Sequence, residues 1–209
     1  HEAHYNKSRL IVFNFLEKHP ALRQLITHEN IQALFSPFLG ENYTYMASEG
    51  NIFNGDTYWH SDIYGCHFKY RYMKALFYLD TLKADTGALC VIPGSHLFGD
   101  QFANKLEGRV WQHEKHLGIT KEEVPHVAIE TEPGDVIIFD NRLKHATINK
   151  TDSKRRLFSI YGSQRFATED EDKLLGTFLD VKKLGASVHN EHFINSLTPE
   201  ERYRIEQTL

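Results

Sequence analysis

The pattern of apolar and polar positions changes character twice along this chain. Over residues 1–40 the apolar positions recur at helical spacing. Leu10, Val12/Phe13 and Leu16 come first, then Leu22, Leu25 and Ile26 after Pro20, then Ile31, Leu34 and Phe35 before Pro37 and Gly40. This predicts a helical opening. From about 43 to 165 the apolar residues gather instead into short runs rich in aromatic and β-branched side chains, as strands do. The runs are Tyr43–Met46, Tyr72–Leu79, Ala88–Ile92 (closed by the Pro93-Gly94 turn), Val127–Glu130, Asp135–Phe139 and Arg156–Tyr161. Many short strands separated by turns predict a mainly β core, a barrel or a two-sheet jelly roll. The stretch from about 100 to 124 is polar and charged and reads as a loop with a short helix. After Phe166 helical signals return. Thr168–Glu171 and Thr198–Glu201 both fit a capping box, the second with Pro199 at the first helical position, so 168–209 is expected to be helical. With no internal repeat or linker, the order of helices, strands and helices predicts one domain over 1–209.

Composition narrows the partners. The formal net charge is −4 and the pI about 6.4, which leaves no basic footprint for nucleic acid. No apolar run approaches the roughly 18 residues that a membrane-spanning helix needs, and this sequence does not open on a charged-then-apolar secretory segment. Two cysteines, Cys66 and Cys90, are too few for a disulfide framework, so a reducing, cytoplasmic setting is expected. Neither composition nor pattern speaks to oligomeric state.

The chemistry concentrates at Trp59-His60-Ser61-Asp62. In an extended segment alternate side chains share a face, so His60 and Asp62 can reach one point while Trp59 packs away from it. His-x-Asp alone is a common triplet. It gains weight from Leu143-Lys144-His145-Ala146-Thr147 downstream of the Gly134-Asp135 strand, and from Arg156 eleven positions beyond His145 (156 − 145 = 11). Two histidines and a carboxylate form the facial triad of non-haem Fe(II) sites, with three coordination positions left open. Two of these suit chelation by an oxo acid and one suits dioxygen. Arg156 would then meet the remote carboxylate of the oxo acid, since a guanidinium is a planar, permanently charged partner. Arg155 is the competitor, because neighbours on a strand face opposite ways.

In this order the segments resemble the phytanoyl-CoA dioxygenase family, including its ectoine hydroxylase-like members. The resemblance rests on His60-Ser61-Asp62, on Thr86-Gly87-Ala88-Leu89-Cys90-Val91-Ile92-Pro93-Gly94-Ser95-His96, on Pro133-Gly134-Asp135-Val136 through His145, and on Arg156-Leu157-Phe158-Ser159. Thr86 stands where the family usually has Asn. The resemblance implies a double-stranded β-helix with Fe(II) held by His60, Asp62 and His145. It also implies 2-oxoglutarate held by Arg156, which its eleven-residue spacing favours over Arg155, and by Thr147, with dioxygen as the oxidant. The implied activity is hydroxylation of an unactivated C–H bond of a small metabolite, with conversion of 2-oxoglutarate to succinate and CO2. Related halogenases carry a small residue where Asp62 stands, so the carboxylate argues against halogenation.

Lys74, Tyr45, Tyr58 and Phe158 fall on strands or strand ends expected to border the cavity, and are candidate substrate contacts. The plainer reading makes Lys74 a solvated outer residue and the two tyrosines wall packing. His113 and His116, with Glu107 and Glu114 nearby, read as a solvated helical face, and so do His189 and His192. The alternative function is a non-catalytic jelly roll, a metal-binding sensor or sugar-binding module, which needs no arginine for an oxo acid.

Overall fold

The computed structural model describes residues 3–5, 9–62, 69–151, 153–167 and 189–209. Two antiparallel sheets face each other. The larger runs β1 (Ala3–Tyr5), β2 (Arg9–Phe13), β3 (Thr44–Asn54), β10 (Lys154–Ser163), β5 (Tyr72–Tyr78) and β8 (Val136–Asp140) in that spatial order. The smaller runs β4 (Thr57–His60), β9 (His145–Asn149), β6 (Thr86–Val91) and β7 (Val127–Ile129). This interleaving of strands from both halves of the chain is that of a double-stranded β-helix.

Both sheets are covered on both sides, and that sets the composition of their strands. Between the sheets, Leu76, Tyr78, Leu89, Phe139 and Leu157 form one buried cluster. The outer face of the larger sheet carries Tyr45, Met73, Ala75 and Ile160 against Leu16, Ile26, Ile31, Phe35 and Phe193. These come from a short 3-10 segment (Phe15–Lys18), the helices α1 (Pro20–Arg23), α2 (Glu29–Leu39) and α5 (Glu191–Asn195), and their connections. The outer face of the smaller sheet carries Trp59, Cys90, Ala146 and Ile148 against Leu106 and Val110 of α3 (Gly99–Trp111). The short α4 (His113–Leu117) follows.

The chain departs from its periodicity in three places. Residues 9–13 are a strand paired with β3, not a helix, because Arg-Leu-Ile-Val-Phe is too short a run to fix a 3.6 period and its β-branched centre suits a sheet. The polar stretch after residue 99 is three helical turns whose Leu106 and Val110 cover the smaller sheet. His189, expected on a solvated face, is buried, with Nδ1 2.8 Å from Glu17 Oε1 and Nε2 2.7 Å from Thr208 Oγ1. The second capping box forms as expected at the start of α6 (Pro199–Ile205). Its first counterpart, Thr168–Glu171, lies outside the described residues.

Candidate metal centre

β4 and β9 are paired so that His60 and His145 are Cα partners, and both imidazoles stand on the inner side, 4.3 Å apart between ring centroids. β4 ends at His60. Asp62 follows in a turn and is tied to the β8–β9 connection by its own N–H, which donates to the Asn141 carbonyl at 2.9 Å. One ligand atom from each of His60, Asp62 and His145 falls within 4.8 Å of the others. Asp62 Oδ1 is 3.8 Å from His60 Nε2, and Oδ2 is 3.8 Å from His145 Nε2.

Backbone carbonyls set the orientation of both rings. His60 Nδ1 lies 2.7 Å from the Tyr58 carbonyl, and His145 Nδ1 lies 3.0 Å from the Leu143 carbonyl. A carbonyl can only accept, so Nδ1 carries a proton in each ring and Nε2 is the nitrogen turned toward Asp62. Burial, then His60, pushes the His145 imidazole down to about 3, so it is neutral at physiological pH. Burial alone would raise Asp62, but Lys74, His145 and His60 outweigh it and hold the carboxyl well below the usual carboxylate range. Two imidazoles and an ionised carboxylate, already convergent, are the donor set a divalent first-row metal requires.

Lys74 projects inward from β5, its Nζ 3.1 Å from Asp62 Oδ2 and 5.1 Å from the Tyr161 ring centroid. It therefore stands inside the barrel as the inward reading required, but its partner is a residue of the triad.

The two arginines face the opposite way from the expectation. Leu157 packs between the sheets, and alternation along β10 then turns Arg155 inward and Arg156 outward. Arg156 is 61% exposed and pairs with Asp80, its NH2 nitrogen 2.5 Å from Oδ1. Arg155 is 1% exposed. It donates to the carbonyls of Gly87 at 3.1 Å and Gly55 at 2.6 Å, while its Nε–H has no partner among the described residues. An inward-facing guanidinium ten positions after His145 (155 − 145 = 10) was visible in the sequence only as the weaker competitor. Thr147 shares the inner face with His145, and its hydroxyl is engaged by the Thr57 N–H and hydroxyl at 3.0 Å each.

The remaining candidates lie elsewhere. Tyr45 is buried on the outer, helix-covered side, where it donates to Ser48 Oγ at 2.8 Å and stacks on His189. Phe158 does share the parity of Arg156, but that parity is outward, and its ring stacks on Phe77 at 4.5 Å within the helix-side core. The Tyr58 ring is 72% exposed on the edge strand β4. Trp59 packs against the α3 side, as expected.

Fold and triad together define a jelly-roll protein with a His-Asp-His group able to hold a metal ion. The phytanoyl-CoA dioxygenase family model matches residues 4–157, and the chain belongs to that family. Among curated proteins none matches this sequence closely. Solved structures with the same fold include EvdMO1, at 24% identity and TM-score 0.57 over 78% of this chain and 38% of that one. HygX from Streptomyces hygroscopicus, solved with nickel, 2-oxoglutarate and hygromycin B bound, matches at 17% identity and TM-score 0.63 over 80% of this chain and 75% of that one. EctD from S. alaskensis with bound Fe matches at 23% identity and TM-score 0.55 over 74% and 56%. The chain thus spans well under two thirds of the length of EvdMO1 and of EctD. No helix among the described residues is long and apolar enough to cross a membrane.

Proposed function

We propose that this protein is an Fe(II)- and 2-oxoglutarate-dependent dioxygenase that hydroxylates a small metabolite. The observation that carries the reading is the convergence of one ligand atom each from His60, Asp62 and His145 within 4.8 Å inside a jelly roll. His60, Asp62 and His145 would hold the iron. When bound, iron and 2-oxoglutarate supply the oxidising chemistry, with release of succinate and CO2.

The residues around the triad have separable roles. The carbonyls of Tyr58 and Leu143 hold the two rings in the tautomer that ligates. Lys74 keeps Asp62 ionised. A divalent ion with one carboxylate and one ammonium beside it leaves two positive charges, which a dianionic oxo acid cancels. Arg155, buried between the sheets with an Nε–H that has no partner among the described residues, is the anchor for the distal carboxylate, taking the role expected of Arg156. Thr147 supplies a hydroxyl on the same inner face. With Cys90 present as a buried free thiol, a reducing, cytoplasmic setting fits the chain.

The test is anaerobic titration with Fe(II) and 2-oxoglutarate, followed by admission of oxygen. The reading requires a visible charge-transfer band that disappears in His145→Ala, and succinate formation that depends on added Fe(II). A folded wild-type protein that shows neither, and binds no N-oxalylglycine with metal present, is instead a binding module.

A further inference from the structure

Glu107 was expected on a solvated helical face, yet it points from α3 into the back of the metal centre. One of its oxygens, Oε2, accepts three hydrogen bonds: from Ser61 N at 3.1 Å, from Ser61 Oγ at 2.5 Å and from Lys144 Nζ at 3.0 Å. Ser61 lies between the ligands His60 and Asp62, and Lys144 directly precedes His145. Every ligand of the triad is therefore one residue away from a group that this carboxylate holds. The arrangement follows from strand parity. Where His60 and His145 face inward, Ser61 and Lys144 face α3. The Lys144 side chain is 0% exposed, and its ammonium nitrogen lies 3.0 Å from Glu107 Oε2, the counter-charge a buried cation needs.

The ladder does not do this work. The β4–β9 register shifts between Thr57 and His60, and β4 stops at His60. The Ser61 peptide, which sets where Asp62 sits relative to His60, is held from outside the barrel by Glu107. On the other strand, Lys144 N donates to Ser95 Oγ at 2.9 Å, so its backbone is also fixed.

We propose that Glu107 is a positioning residue that fixes the spacing of the two ligand-bearing segments, so that α3 is mechanically part of the metal centre. The inference rests on the reading of His60, Asp62 and His145 as ligands. It concerns how they are spaced, and Glu107 itself touches no metal.

The experiment measures Co(II) affinity and the Co(II) visible spectrum of the whole chain under nitrogen, with circular dichroism confirming the fold. Wild type is compared with Glu107→Gln, Ser61→Ala and the charge-neutral pair Glu107→Leu/Lys144→Met. The double variant removes the buried ammonium together with its counter-charge and so guards against misfolding. Positioning predicts at least a tenfold loss of Co(II) affinity and shifted visible bands in the folded double variant, and a smaller loss in Glu107→Gln and in Ser61→Ala. If the double variant binds Co(II) with wild-type affinity and spectrum, Glu107 is only the charge partner of Lys144 and the proposal falls. If wild type binds no Co(II), the ligand reading itself fails, and the proposal with it.

Discussion

Lys74 and Asp62 form an ion pair on the inner wall of the barrel, with Nζ 3.1 Å from Oδ2 and both side chains largely buried. In metal-free protein Lys74 is the cation that contributes most to keeping the buried Asp62 carboxylate ionised. Lys74→Met should therefore destabilise the metal-free protein by roughly 3 kcal/mol, the usual cost of stranding one member of a buried pair. A divalent ion replaces the missing charge, so added Ni(II) should raise the melting temperature more in Lys74→Met than in wild type. Thermal denaturation with and without Ni(II) checks this. An equal metal-induced shift in both proteins would mean that Lys74 does not act through Asp62.

Arg155 and Arg156 make opposite predictions for the co-substrate. A charge-assisted contact to a carboxylate contributes about 1.5–3 kcal/mol, or roughly ten- to hundredfold in affinity. Arg155→Met should weaken 2-oxoglutarate binding to Ni(II)-loaded protein by that factor. Arg156→Met, which loses only an exposed pair with Asp80, should change it less than twofold. Calorimetric titration of both variants decides, and the reverse order would return the role to Arg156.

The metal-free protein should lose stability on mild acidification. Between the unfolded imidazole value of 6.5 and the folded value of about 3, the unfolded chain binds a proton at His145 that the folded chain does not. Stability therefore falls as pH drops through this window, with a slope from this residue of up to ~1.4 kcal/mol per pH unit. Urea denaturation at pH 7, 6 and 5 should show a shallower loss in His145→Gln than in wild type. Parallel slopes would show that His145 is not the group responsible.

Gly87 and Gly55 test the seat of Arg155. A Cβ at Gly87 would lie 2.4 Å from Arg155 Cδ, and the backbone there has φ +100°, whereas a Cβ at Gly55, with φ +75°, meets nothing within 4 Å. Both alanine variants should lose about 1–3 kcal/mol from backbone strain. Only Gly87→Ala should also lose 2-oxoglutarate affinity, because it displaces the guanidinium. Comparable affinity in the two variants would argue that the guanidinium moves without consequence.

What could be read from the sequence was the chemistry that depends on residue type. His60, Asp62 and His145 stand out because few other side chains can ligate a metal, and Trp59 followed from parity relative to His60. Which face of a strand is inside could not be read, because β3, β5 and β10 are covered on both sides and their apolar residues run almost without alternation. For that reason Tyr45 and Phe158 were offered as cavity candidates, though they lie in the helix-side core, Tyr45 packed as its plainer reading had it. Arg156 was preferred on spacing alone, and the turn between β9 and β10 decides parity in a way that a count of residues does not. α3 carried a legible stripe in Leu106 and Val110, four apart, beneath its polar composition, but nothing in the sequence paired Glu107 with Ser61 and Lys144.

The two imidazoles take their orientation from main-chain carbonyls two residues earlier in each case, Tyr58 for His60 and Leu143 for His145. No substitution can delete a carbonyl oxygen. The tautomers are thus insulated from point mutation, whereas the carboxylate depends on side chains, Lys74 beside it and Glu107 behind Ser61, that one codon change can remove. Inherited variation in this centre should accordingly act on where and how strongly Asp62 binds, and leave the ring nitrogens alone.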